Sequence, residues 1–126
     1  MDLGILRKLG HNEQVEVTTA AIIAWNNVKS RMVGDFIALN SYTIPDRYPI
    51  PRVNVILLQL AQARLIKAMD SLKGFNTNVL TDNSRKPLRI IVHYGIYEYL
   101  RVPSGIKNAP SHCQRMMNTI FPEELS

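Results

Sequence analysis

A chain of 126 residues is the length of one ordinary domain, and its 46% hydrophobic and 20% charged residues exclude an intrinsically disordered chain. Fifteen Lys and Arg against ten Asp and Glu give a net charge of +5, which permits a polyanionic partner without demanding one. A single cysteine, Cys113, excludes an internal disulfide and a cysteine-rich zinc site, and the longest apolar run, Ala20 to Trp25, is too short to span a bilayer.

The amino terminus has no long apolar h-region, so an intracellular location, cytoplasmic or nuclear and without membrane contact, is expected. Leu3, Leu6 and Leu9 have helical spacing and stop at Gly10. Val15 to Thr19 alternates, and Ala20 to Trp25 is an apolar run; both read as strands. Asn26-Asn27 marks a turn, and 31–36 reads as the return strand of a hairpin. Pro45, Pro49 and Pro51 make Leu39 to Pro51 an irregular connector. Val53, Leu57, Leu60, Ala61 and Leu65 then predict an amphipathic helix with one buried face.

Leu65 to Asp70 reads as a strand ending in a carboxylate, followed by a Lys73-Gly74 turn and a possible strand over Phe75 to Leu80. Thr81 to Lys86 is polar and turn-like. Leu88–Val92 and Ile96–Val102 flank His93-Tyr94-Gly95 and predict a β-hairpin. Asn108-Ala109-Pro110 opens a last helix, with Cys113, Met116, Met117, Ile120 and Phe121 on its apolar face and Pro122 ending it. There is no internal repeat, low-complexity tract or linker, so one α+β unit over 1–126 is expected.

Asp70 is the first candidate site. A carboxylate fixed at a strand end suits a hard cation such as Mg²⁺, and Gly74 lets backbone N–H groups approach an anion. A lone Asp after a strand is, however, more often a turn or cap residue. From Arg85 to Phe121 the cations Arg85, Lys86, Arg89, Arg101, Lys107 and Arg115 are opposed only by Glu98. Phosphate is the obvious counter-charge, and a solvated face explains the same run equally well. His11, His93 and His112 show no metal-ligand spacing, and Tyr42, Tyr48, Tyr94, Tyr97 and Tyr99 read as packing residues.

Six stretches carry a resemblance: 31–40 (RMVGDFIALN), 48–52 (YPIPR), Met69-Asp70 with Gly74-Phe75, 95–100 (GIYEYL), 103–110 (PSGIKNAP) and 114–121 (QRMMNTIF). In this order and spacing the chain resembles the reverse transcriptase of gypsy-type LTR retrotransposons, the fungal ones most closely. The resemblance implies the fingers and partial palm of a polymerase right hand, antiparallel hairpins packed with two to three helices. Residues 1–40 would be fingers, 41–82 palm, 83–102 a fingers hairpin and 103–126 a palm helix.

It also implies roles. Asp70 would be one of three carboxylates holding two Mg²⁺ ions, with the Ser71 carbonyl as a further ligand. Arg31, Lys73, Gly74, Phe75 and Ser104 would bind the incoming dNTP, Phe75 stacking under its sugar. Asp35, Gly105, Lys107, Pro110 and Gln114 would line the template track of a primer–template. Asp70, Phe75 and Arg31 are accordingly expected to share a cleft.

The chain also departs from that pattern. The family's Tyr-x-Asp-Asp hairpin, which supplies the other two carboxylates, does not occur, and no two aspartates are adjacent. Ser104 stands where these elements usually have Phe, Ile37 where Arg is usual, and Asn76-Thr77 where His-Gln is usual. Inactivity in isolation is therefore expected. So is an uncovered palm strand that drives self-association or needs the missing palm segment. A retained fold used as a non-catalytic nucleic-acid or protein binding module is the alternative.

Overall fold

In the computed structural model, which describes residues 4–121, the strands are β1 (Leu6–Lys8), β2 (Thr19–Asn26), β3 (Lys29–Gly34), β4 (Arg89–Val92) and β5 (Gly95–Tyr99). They form one sheet in the order β1-β5-β4-β2-β3. All neighbours are antiparallel except β2 and β4, which pair in parallel over Thr19↔Ile90 and Ala20↔Ile91. The helices are α1 (Ile37–Tyr42), α2 (Val53–Gln62), α3 (Asp82–Arg85) and α4 (Ala109–Ile120). Two 3₁₀ turns, Gly74–Thr77 and Lys86–Leu88, complete the α+β fold.

Period-two alternation divides β5 between two faces. Tyr97 and Tyr99 point into a core with Phe36, Leu88 and Ile90, while Glu98 points the other way and is also buried. Phe36 meets Tyr99 edge-on, with ring centroids 6.0 Å apart. Burial pushes the Tyr99 phenol up, and the Gly34 backbone pulls it the other way. Gly34 is required by packing: a Cβ there would sit 2.6 Å from Phe36 Cζ and 3.0 Å from Ile90 Cγ2.

Both expected hairpins form, with turns at Asn27-Val28 and His93-Tyr94, but β3 runs two residues ahead of the expected 31–36 and β5 ends at Tyr99 instead of Val102. Helix α4 starts at Ala109 with Pro110 in its first turn. Its Cys113, Met116 and Met117 are half-buried, whereas Ile120 and Phe121 are exposed. Pro122, expected to end it, lies outside the described residues.

Several expectations are corrected. The helix expected over Leu3–Leu9 is strand β1, with Leu6↔Tyr99 and Arg7↔Glu98 in register; Leu3 itself lies outside the described residues. Seven residues are too few for an independent helix, and the β5 edge offers both ladder bonds and an ionic partner. Val15 to Thr18 is not strand, because pairing with β4 begins only at Thr19.

Leu65 to Asp70 is irregular and unpaired, because no described strand lies beside it to share a ladder. Leu65 is 88% exposed and Met69 80%. Helix α2 forms as expected but buries none of its residues. Its sequence, VNVILLQLAQ, is apolar on almost every side, and no described element covers it. Over Phe75–Leu80 the chain makes the 3₁₀ turn and a single bridge, Val79↔Arg101, instead of a strand. The turn is held by Thr77 Oγ1 donating to Gly74 O at 2.7 Å and Asn78 N–H donating to Phe75 O at 3.2 Å. Thr81–Lys86 holds the one-turn helix α3, in which Arg85 pairs with Asp82 at 3.0 Å.

Candidate nucleic-acid interface

Residues 104–118 carry four of the five expected template residues, and a strap from Asn40 to Tyr48 is hydrogen-bonded along this stretch. Asn40 Nδ2 donates to Gly105 O at 2.7 Å, and its Oδ1 accepts from Lys107 N–H at 2.9 Å. Lys107 Nζ then donates to the carbonyls of Asn40 and Thr43. Asn108 bonds both Ile44 O and the Asp46 N–H. Along α4, Arg115 pairs with Asp46 at 2.8 Å and lies 4.7 Å above the Tyr48 ring. Gln114 Nε2 donates to Asn118 Oδ1, whose amide donates to Tyr48 Oη at 2.9 Å. Gly105, at φ +90°, takes the left-handed turn this loop needs, over the Phe36 ring.

Gly105, Lys107, Pro110 and Gln114 thus share one loop and helix. Ser104 beside them is exposed. Asp35 sits between β3 and α1, where its Oδ1 accepts from Ile37 N–H at 3.3 Å. Arg31 is exposed on β3, the last strand of the sheet, opposite Ala24.

Around Asp70 the geometry is looser. Asp70 and Ser71 are exposed and stand before the turn, and the Phe75 ring is half-buried. The left-handed residue is Lys73, at φ 51°; a Cβ on Gly74 would meet nothing within 4 Å. The freedom expected of Gly74 is therefore exercised one residue earlier. Among the described residues no three His, Cys, Asp or Glu side chains gather as a metal site. The residues present do not fit a two-ion centre.

Two hollows open on the sheet. One of about 530 Å³ is lined by Ala21, Ile23, Met32, Ile91, Val92, His93 and Tyr94. The other, about 310 Å³ at the tip of the β2–β3 hairpin, is lined by Trp25, Asn27, Val28, Lys29 and Ser30. Asp70, Phe75 and Arg31 line neither.

The basic run from Arg85 to Arg115 is largely engaged within the fold. Arg85 is held by Asp82, Arg89 by Glu98, and Arg115 by Asp46. Arg101 donates to the carbonyls of Asn76 and Thr77. Sequence reasoning missed the partners, Asn40, Asp46, Tyr48 and Asn108, because they lie 62 or more positions from the groups they hold. Among the described residues, no helix is long and apolar enough to cross a membrane.

No family model matches the chain. The retrovirus-related Pol polyprotein of transposon gypsy from Drosophila melanogaster is 36% identical over 102 residues, 81% of this chain and 10% of the polyprotein. That of transposon 297 from the same fly is 42% identical over 93 residues, 74% of this chain and 9% of its own length. The Tf2-3 polyprotein of Schizosaccharomyces pombe is 31% identical over 93 residues, 74% of this chain and 7% of its own length, so these identities do not favour the fungal elements. The chain spans about a tenth of the length of the first two relatives.

Among solved structures, a foamy-virus protease–reverse transcriptase in complex with double-stranded DNA superposes with TM-score 0.76 at 19% identity, covering 95% of this chain and 21% of that one. The foamy-virus protein in complex with an RNA/DNA hybrid gives 0.74 at 19% identity, covering 94% and 15%.

Proposed function

Because the chain belongs to the Pol family of gypsy-type LTR retrotransposons and has a reverse-transcriptase fold, we propose that it is a fragment of an RNA-directed DNA polymerase whose 126 residues do not polymerise alone. In the parent protein it takes part in template-directed DNA synthesis from dNTPs on a primer–template. The observation that carries the reading is Asp70: an exposed acid on an unpaired segment, with no cluster of three His, Cys, Asp or Glu among the described residues to hold the pair of Mg²⁺ ions. Positioning and charge stabilisation are nearly all of phosphoryl-transfer catalysis, so one carboxylate leaves the centre incomplete.

The partition into fingers (1–40), palm (41–82), fingers hairpin (83–102) and palm helix (103–126) follows from the resemblance. The strap that fixes Gly105 and Lys107 directly, and Gln114 through Asn118, supports it, since a template track needs a rigid wall. Arg31, Lys73, Gly74, Phe75 and Ser104 are assigned to the nucleotide and Asp35 to the template side.

Primer extension tests the reading. With dNTPs and Mg²⁺ the 126 residues are expected to give no product, and the same chain extended by the downstream Pol segment is expected to give product. Extension by the 126 residues alone overturns the proposal.

A second reading, a non-catalytic binding module, is favoured by the apolar surface over 53–72. Leu57, Leu58, Leu65, Met69 and Leu72 are each 57% exposed or more. Such a surface drives association. Light scattering is expected to give a mass that rises with concentration above the 14.3 kDa of one chain. Replacing Leu58, Leu65 and Leu72 together by Gln should return a monomer with an unchanged circular-dichroism spectrum. A wild-type monomer at every concentration counts against an adhesive surface.

A further inference from the structure

Across its middle the sheet is joined by two residue pairs, Thr19↔Ile90 and Ala20↔Ile91. Strand β2 runs on to Asn26, whereas β4 turns back after Val92. Beyond Ala20↔Ile91 the two strands no longer pair, and the hollow of about 530 Å³ lies in the opening.

Ladder parity fixes which main-chain groups face this opening. Asp35 N–H donates to Ala20 O, so the even positions of β2 address β3 and the odd ones, Ala21 and Ile23, address β4. Leu9 N–H donates to Ile96 O, so on β5 the even positions address β1 and the odd ones, Gly95 and Tyr97, address β4. Their partners Val92 and Ile90 address β5 in return, which turns Ile91 and His93 toward β2. Ile91 is used in the pairing with Ala20; Ile23 and His93 have no strand opposite them. Two sets of N–H and C=O groups therefore face one opening without a ladder.

The walls around them are apolar. Ile23 pairs with Met32, which puts both side chains on one face, next to Ala21 at the border of the core. Ile91 and Tyr94, 46% and 48% exposed, line the other side. No Lys, Arg, Asp or Glu lines the hollow. Trp25, 82% exposed further along β2, belongs to the separate hollow at the hairpin tip.

We infer that this opening binds a small, neutral, planar heterocycle whose lactam-like edge hydrogen-bonds the main chain of Ile23 and His93 while its rings lie among Met32, Ile91 and Tyr94. Such an edge returns the donor and acceptor that a neighbouring strand would have supplied, and a rigid ring system loses little entropy on binding. The volume suits a molecule of this class. An anionic ligand, a nucleotide included, would leave its charge unmatched in a hollow without a cation. A peptide strand would find a single residue to pair with on the β4 side, because the chain turns back at His93-Tyr94. The bound molecule ties the β2–β3 hairpin to the β4–β5 turn. The inference goes beyond the polymerase reading, which gives Ile23, Ile91, His93 and Tyr94 no role.

Carbostyril, a neutral bicyclic lactam, is the probe, titrated into the isotope-labelled chain while backbone amide NMR shifts are followed. Saturable shifts are expected at the Ile23 and His93 amides, with residues 53–72 unmoved. N-methylcarbostyril, which keeps the rings and blocks the donor, is expected to bind about tenfold more weakly. Ile23→Ser, at a position 64% exposed, is expected to weaken carbostyril about tenfold through lost apolar contact, and its unchanged circular-dichroism spectrum checks the fold. The nucleotide dTMP is expected to leave both amides in place.

No saturation up to the solubility limit of carbostyril, shifts confined to 53–72, equal affinity for the N-methyl compound, unchanged affinity in Ile23→Ser, or displacement of the Ile23 and His93 amides by dTMP overturns the inference. The outcome is separable from that of the polymerase reading, whose readout is extension by the lengthened chain.

Discussion

Glu98→Ala is expected to lower the unfolding free energy by about 3 kcal/mol and the melting temperature by about 10 °C. The register puts Arg7, Glu98 and Arg89 side by side on three adjacent strands, so one carboxylate lies between two guanidiniums. Arg7 Nε donates to Glu98 Oε1 at 2.9 Å and Arg89 Nε to Oε2 at 3.2 Å. The Glu98 and Arg89 side chains are 4% and 12% exposed, so removing the acid strands a nearly buried cation. Removing one partner of a buried pair costs about 3–5 kcal/mol; the lower end applies because Arg7 is 43% exposed.

The network reaches further through the same two arginines. Arg7 also binds Glu13, which it holds below the usual carboxylate range together with the Gly10 N–H, and Arg89 binds Gln14 O at 2.8 Å. Loss of Glu98 should therefore loosen residues 10–14 first, visible as faster amide exchange there. Glu98→Leu combined with Arg89→Met is expected to recover most of the loss, since a matched apolar pair avoids the stranded charge. Equal losses in the single and double variants would show that the charge pair is not what stabilises these strands.

How much of this was legible in the sequence follows from range. The two hairpins and α4 rest on alternation, turn residues and Pro110, all local signals, and they stand nearly as read. Strand β1 was not legible because its partner is about ninety residues away: Leu6 faces Tyr99, and helical spacing of three leucines outweighed an unseen β5 edge. The Leu65–Asp70 strand failed for a related reason. Its residues have strand composition, but a strand is a relation, and no described neighbour supplies the other half of the ladder. The basic run misled because charge is visible in a sequence and pairing is not: Asp46 holds Arg115 from 69 positions away. Conversely Trp25 was read only as the end of an apolar strand, since nothing local distinguishes an indole turned outward from one in the core.

Gly34→Ala is expected to destabilise the fold by about 2–3 kcal/mol, near the upper end for overpacking. An added methyl would lie 2.6 Å from Phe36 Cζ, 2.8 Å from Cε2 and 3.0 Å from Ile90 Cγ2, all inside contact distance. Neither neighbour can retreat cheaply. Ile90 has no exposed surface, and Phe36, 3% exposed, is held edge-on against Tyr99. The strain should pass on to the candidate interface, because the Phe36 ring also lies under Gly105, where a Cβ would be 3.9 Å from Cδ2. Pushing the ring toward position 105 loads the loop that Asn40 pins through Gly105 O and Lys107 N–H. Gly34→Ala is therefore expected to speed amide exchange at Lys107 as well as within β3. Shrinking the ring relieves both effects: Phe36→Leu should cost stability in the wild type yet less in the Gly34→Ala background, a favourable coupling of about 1 kcal/mol in denaturant titrations. Strict additivity of the two substitutions would mean that Gly34 is tolerant and that the hairpin and the 105 loop are not coupled through Phe36.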